Sequence, residues 1–121
     1  MKDNTVVICD SDVEICRVCE LILYKEYRVD TFTNFEMLFK HIEGAKPDVI
    51  MIEVLMPDIH RETVIKALLE NDTIKDIPVI LFSTLNDIEK ISERVNAAAF
   101  IKKPFDIKEL RETVRKHIKQ N

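Results

Sequence analysis

The sequence predicts a single α/β domain, a parallel sheet with helices on both faces, and three observations predict it. Short apolar runs rich in β-branched residues alternate with longer stretches of helical periodicity, strand then helix, five times along the chain. The run Val49-Ile50-Met51-Ile52 is apolar on both parities, as a central parallel strand covered on both faces requires. No linker, repeat or low-complexity tract divides the alternation, so residues 1–121 read as one unit joined by right-handed crossovers.

Thr5-Val6-Val7-Ile8-Cys9 is the first strand, ended by Asp10-Ser11-Asp12. Ser11 or Asp12 caps the helix that follows, Glu14 suits its first turn, and Ile15, Cys16, Val18, Cys19, Ile22 and Leu23 form its inward stripe. The more polar Tyr27–Phe32 strand belongs at a sheet edge. Asn34 caps a second helix whose inward residues are Phe35, Leu38, Phe39 and Ile42, and Gly44, the single glycine, closes it. The third strand runs into Glu53, and Pro57 rules out further regular pairing. A third helix starts near Arg61 with Val64, Ile65, Leu68 and Leu69 inward and Asn71-Asp72 as its exit. Ile77 to Phe82 is the fourth strand, with Ser83-Thr84 at its carboxyl end. Residues 86–95 form a helix attached by a narrow stripe of Ile88, Ile91 and Val95, which predicts mobility. Ala98 to Lys102 is a short fifth strand, and Ile107, Leu110, Val114 and Ile118 give the last helix one apolar face.

With 121 residues, 46% hydrophobic and 33% charged, the chain can bury a core without disulfides or metal. A net charge of -4 argues against a nucleic-acid or anionic membrane surface as partner. Cys9, Cys16 and Cys19 make an odd set and read as buried thiols of a reducing compartment; the first ten residues hold no secretory signal, so a cytoplasmic chain is expected. Cys16 and Cys19 are spaced C-x-x-C, but inside a helix and without a second pair, and His41, His60 and His117 are scattered. Neither set suggests a metal.

Parallel strands bring their carboxyl ends to one rim, the place where ligands gather in open α/β sheets. That rim collects Asp10, Ser11 and Asp12, then Glu53, then Ser83 and Thr84, then Lys102 and Lys103. Each has a plainer reading too. Asp10 and Asp12 can cap the first helix, Ser83 and Thr84 the fourth, and Lys103 can neutralise Glu53 or Asp10 by a salt bridge while Lys102 faces solvent.

Along its whole length the chain resembles the receiver domain of two-component response regulators, on this acid-acid-hydroxyl-base rim and on Met56-Pro57-Asp58 and Lys103-Pro104-Phe105. The resemblance implies a flavodoxin-like (βα)5 three-layer sandwich, CheY-like, with strand order 2-1-3-4-5. It matches Asp10 to the first rim acid and Ser11 to the second, Glu53 to the aspartate phospho-acceptor, Ser83 to the switch hydroxyl, Lys103 to the rim lysine and Phe100 to the switch aromatic. It also implies a Mg²⁺ site built from Asp10, Glu53 and the Leu55 carbonyl. Expected partners are a histidine kinase, an output domain or another signalling protein. A dimer through the fourth helix, fifth strand and fifth helix is a further expectation, and neither an enzyme activity nor a membrane is.

Three departures from that pattern bear on function. Glu53 carries one methylene more than aspartate, about 1.5 Å of extra reach. A misplacement of about 1 Å can cost 10²-fold in a reaction governed by positioning. Ser11 removes a charge from a hard-cation site, so Mg²⁺ binds weakly at most and no cofactor is required. Arg61 stands where the family's loop has glycine. The sequence therefore reads as an atypical pseudo-receiver that acts by protein contact. The alternatives are a Mg²⁺-dependent receiver phosphorylated at Glu53 or Asp58 by a histidine kinase, and a small-ligand domain using the same rim.

Overall fold

The computed structural model describes residues 2–44, 46–54 and 61–118, with Arg61 and Val64 described by their backbone alone. Five strands, β1 (Thr5–Cys9), β2 (Arg28–Phe32), β3 (Val49–Glu53), β4 (Val79–Ser83) and β5 (Ala99–Lys102), alternate with five helices, α1 (Val13–Leu23), α2 (Phe35–Gly44), α3 (Arg61–Glu70), α4 (Ile88–Val95) and α5 (Ile107–His117). All four pairings are parallel and the order is β2-β1-β3-β4-β5, as the resemblance implies.

Strand parity sorts the core into two layers. Val7, Cys9, Ile50, Ile52, Val79 and Leu81 face α2, α3 and α4. Val6, Ile8, Val49, Met51, Ile80, Phe82 and Ile101 face α1 and α5. Every residue of β3 is buried, as a mid-sheet strand must be. Each fully buried Ile there contributes about 1.5–3 kcal/mol of transfer free energy, enough to hold the rim at its carboxyl end in place.

Local chemistry sets the helix ends. Asp12 caps α1 by accepting from the Glu14 N–H (2.9 Å), Asn34 caps α2 through the Met37 N–H (2.9 Å), and Asp106 caps α5 through the Glu109 N–H (2.7 Å). α4 ends in Asn96 at φ 62°, the left-handed conformation asparagine tolerates. Gly44 ends α2 as its last helical residue, without a positive φ.

Among the described residues, two expected core residues point outward. Val18 is exposed because it lies about 100° around α1 from Cys19, beyond the stripe of Cys16, Cys19 and Leu23 that meets the sheet. Ile107 is in phase with Leu110 and Val114 but occupies the first turn of α5, where little lies beneath it. Ile88, Ile91, Ser92 and Val95 of α4 are buried, and a bidentate Arg94–Glu62 pair (2.7 and 3.1 Å) ties this helix to α3.

All three cysteines are buried and free. Burial pushes the Cys9 and Cys19 thiols up to about 12 and raises Cys16 as well, so all three stay protonated at neutral pH.

Candidate functional site

The rim is built by the same parity. Asp10 continues the Val6, Ile8 series, Glu53 the Val49, Met51 series, and Lys103 follows Ile101 by two, so all three side chains fall on the α1/α5 side of the sheet. Asp10 is anchored by its backbone N–H to the Phe32 carbonyl (3.0 Å), and Lys103 by its N–H to the Ser83 carbonyl (2.8 Å). Strand pairing therefore delivers the site.

Lys103 closes it. Its Nζ donates to Asp10 Oδ2 (2.7 Å) and to Glu53 Oε2, and the ammonium stands 4.7 Å from the centroid of the Phe82 ring. Side-chain exposure is 12% for Lys103, 2% for Asp10 and 5% for Glu53, so this is a buried triad rather than a surface ion pair. Burial lowers the Lys103 pKa, but the hydrogen bonds to Asp10 and Glu53 outweigh it and leave the ammonium above its ordinary value. The second carboxylate oxygen of Asp10 accepts the Asp12 N–H (2.8 Å), and the Cys16 thiol donates to the Asp10 carbonyl (3.4 Å).

Ser83 meets the triad through its backbone, whose carbonyl accepts the Lys103 N–H. Ser83 is fully buried, follows Val79 and Leu81 to the α2–α4 side, and its Oγ accepts the Leu85 N–H (3.0 Å). It thus braces the loop and does not cap α4, whose N-cap is Asp87. Ser11 and Thr84 are exposed. Lys102 donates to Asn86 Oδ1 (2.8 Å) on the surface, which separates it from Lys103. Phe100 is 37% exposed on β5. Leu55, Met56-Pro57-Asp58 and His60 lie outside the described residues, as does the side chain of Arg61.

Two of the three Mg²⁺ ligands that the resemblance implies, Asp10 and Glu53, are described here, and the third, the Leu55 carbonyl, lies outside the described residues. The two carboxylates a hard cation would need are bridged by Lys103, and the hydroxyl of Ser11 supplies no charge. Among the described residues no group of three or more His, Cys, Asp or Glu could hold a metal ion. Sequence reasoning missed two features here: the Phe82 ring beside the lysine, and the His41–Asp30 contact (3.2 Å), with the Phe32 ring 5.0 Å from the imidazole and tilted 43° to it. For Phe82 a signal existed, since a buried aromatic two residues after Ile80 shares the face of Met51 and Glu53.

Similarity to known proteins agrees with this geometry. The family model of the response regulator receiver domain matches residues 6–115. The chain is 29% identical over 121 residues to the polar-differentiation response regulator DivK of Brucella anthropi, covering 98% of each chain. It is 31% identical over 72 residues, 58% of its length, to the DNA-binding dual master transcriptional regulator RpaA of Synechocystis sp., of which it spans 30%. It spans about half of several other regulators. The chemotaxis response regulator CheY4 of Vibrio cholerae shares the fold at TM-score 0.82 and 24% identity, with 95% of this chain and 98% of that one aligned. No helix among the described residues is long and apolar enough to cross a membrane. Rim, sheet order and family match converge: this chain belongs to the response regulator receiver domain family, the receiving module of two-component signalling.

Proposed function

We propose that this receiver domain is a pseudo-receiver, which signals through protein contacts without conventional aspartyl phosphorylation. The observation that carries the reading is the Lys103 ammonium bonded at once to Asp10 and Glu53, with Glu53 only 4% exposed. A phosphoryl acceptor must present a carboxylate oxygen in line with the donor, and here the longer side chain turns that oxygen onto a buried cation. The same lysine stands between the two acids on which a divalent cation would depend. The rim is then a fixed electrostatic unit, and the signal resides in which protein binds the surface around it, a kinase or an output domain by the chemistry of the family.

Glu53 as a charge mimic of the activated state fits less well. A carboxylate carries one negative charge against about two for a phosphoryl group and lacks its third acceptor oxygen. In this chain that one charge is already matched by Lys103.

Incubating the protein with acetyl phosphate and Mg²⁺ and reading intact mass tests the proposal. The expected result is an unchanged mass under conditions that label a working receiver run alongside. A phosphoryl adduct mapped to Glu53 overturns the reading. An adduct that disappears in Asp58→Asn would instead move the acceptor to that neighbouring acid, and would also overturn it.

A further inference from the structure

Helix α1 has a second apolar face, on which the Lys2 ammonium stands 5.4 Å from the centroid of the Tyr24 ring. Its inward stripe of Cys16, Cys19 and Leu23 is buried, yet Val13, Val18, Leu21 and Tyr24 are 54%, 43%, 64% and 44% exposed. Among the described residues no other element comes near this: α2 exposes Met37, β5 exposes Phe100 and α5 exposes Ile107. At about 100° per residue, Val13, Arg17, Leu21 and Tyr24 fall within about 80° of one another, and Tyr24 keeps helical backbone angles as the C-cap. An outward face this apolar on a helix whose other side is already packed marks a docking surface.

The charges on this face say what docks there. Glu14 lies at its start and Lys25 just beyond its end, with Arg17 and Glu20 between them. A parallel copy of the same helix would set like against like. An antiparallel copy centred near residues 18–20 sets Arg17 opposite Glu20 and Glu14 opposite Lys25, while Val13 meets Tyr24 and Val18 lies beside Leu21. The flanks agree as well. Glu14 and Lys25 lie on the Leu21 side of the face and Glu20 on the Val13 side, and a two-fold between antiparallel helices apposes equal flanks, so every pair forms twice. In the isolated chain the Arg17–Glu14 contact is a loose, exposed pair at 4.0 Å, so these charges are free to be re-paired.

We infer that α1 is a self-association surface through which two copies of this chain pack antiparallel about a two-fold axis. An 11-residue helix is about 16 Å long, so the contact falls below the size of a permanent interface and the dimer is weak and reversible. This goes beyond the reading of the rim and does not depend on it, because α1 presents this face away from Lys103.

Sedimentation equilibrium of the 121-residue chain at low salt, from about 10⁻⁵ to 10⁻³ M, tests it. The weight-average mass should climb from monomer toward dimer. Leu21→Glu, at a position exposed enough to leave folding intact, should weaken association at least about tenfold by setting a charge beside Val18 of the second copy. Arg17→Glu and Glu20→Arg should each weaken it, and the double variant should restore it to within about threefold, since exchanging both partners preserves the pairing. Ile107→Glu should leave it unchanged. A chain that stays monomeric throughout, a dimer that survives Leu21→Glu, or a double variant that fails to recover overturns the inference. The first of these is also what a different protein as the true occupant of α1 would produce. An unchanged melting curve for each variant separates lost association from lost fold.

Discussion

Lys103→Met destabilises the folded chain by about 3 kcal/mol at neutral pH, the scale for removing one partner of a buried ion pair. The substitution keeps the length of the stem over Phe82 but leaves Asp10 and Glu53 facing each other, 2% and 5% exposed, with no cation between them. Urea unfolding measures the loss, and for a domain of this size it corresponds to a fall of roughly 10 °C in Tm. The deficit depends on pH. Alkali relieves it by removing the advantage of the parent chain: the Lys103 pKa is raised above the ordinary 10.5, so its stabilisation is complete below that value and is lost as pH rises through the higher folded one. Adding Glu53→Gln to Lys103→Met should recover at least half of the loss by removing one of the opposed charges. If it recovers none, the lysine stem and its packing on Phe82, rather than charge, hold the rim.

Glu53→Asp should switch on labelling by acetyl phosphate in Mg²⁺, raising the rate by about 10²-fold over the parent chain, the scale set by a displacement of about 1 Å at a reacting atom. Shortening the side chain does two things at once. It draws the carboxylate back toward the strand end, where the family carries its acceptor, and it lengthens the reach to Lys103, freeing an oxygen for attack. Ser11→Asp alone should strengthen Mg²⁺ binding without labelling, because it adds charge at the exposed lip of the rim and leaves Glu53 where it is. The double variant should label fastest, and the two effects need not add, since both act on one phosphoryl-transfer site. Intact mass with Asp58→Asn as control reads the outcome. A double variant that stays unlabelled would place the obstruction elsewhere in the site, with Arg61 the first residue to exchange for glycine.

Both expectations start from residues that the sequence already singled out, and the reason is physical. Buried parallel strands are unbroken apolar runs, so a carboxylate or lysine at the end of one stands out, and Asp10, Glu53 and Lys103 were legible for that reason. Lys103 is told from Lys102 by the Lys103-Pro104-Phe105 resemblance, since a register slip of one residue would exchange their faces; the burial of Ile101 in the structure fixes that register. What a single chain could not display is what lies across a face. Ser83 is polar and ends a strand, as a rim residue should, but the bond its Oγ accepts from the Leu85 N–H could not be read from the chain. Ile107 has the right phase with nothing beneath it, and Val18 belongs to a face of α1 whose use depends on contacts outside the domain. Periodicity reports the direction of a side chain, whereas burial depends on the neighbour, and the neighbour comes from tertiary packing.

The Lys103 ammonium itself gives the most direct test of the locked rim. In a ¹⁵N-labelled chain near neutral pH its Nζ protons should be protected from exchange with water, unlike those of exposed lysines, because they are committed to Asp10 and Glu53 in a buried site. Millimolar Mg²⁺ should leave that signal and the Asp10 and Glu53 resonances where they are. If instead Mg²⁺ shifts all three saturably and releases the ammonium into fast exchange, the lysine is a gate that the metal opens, and the rim belongs to a working receiver.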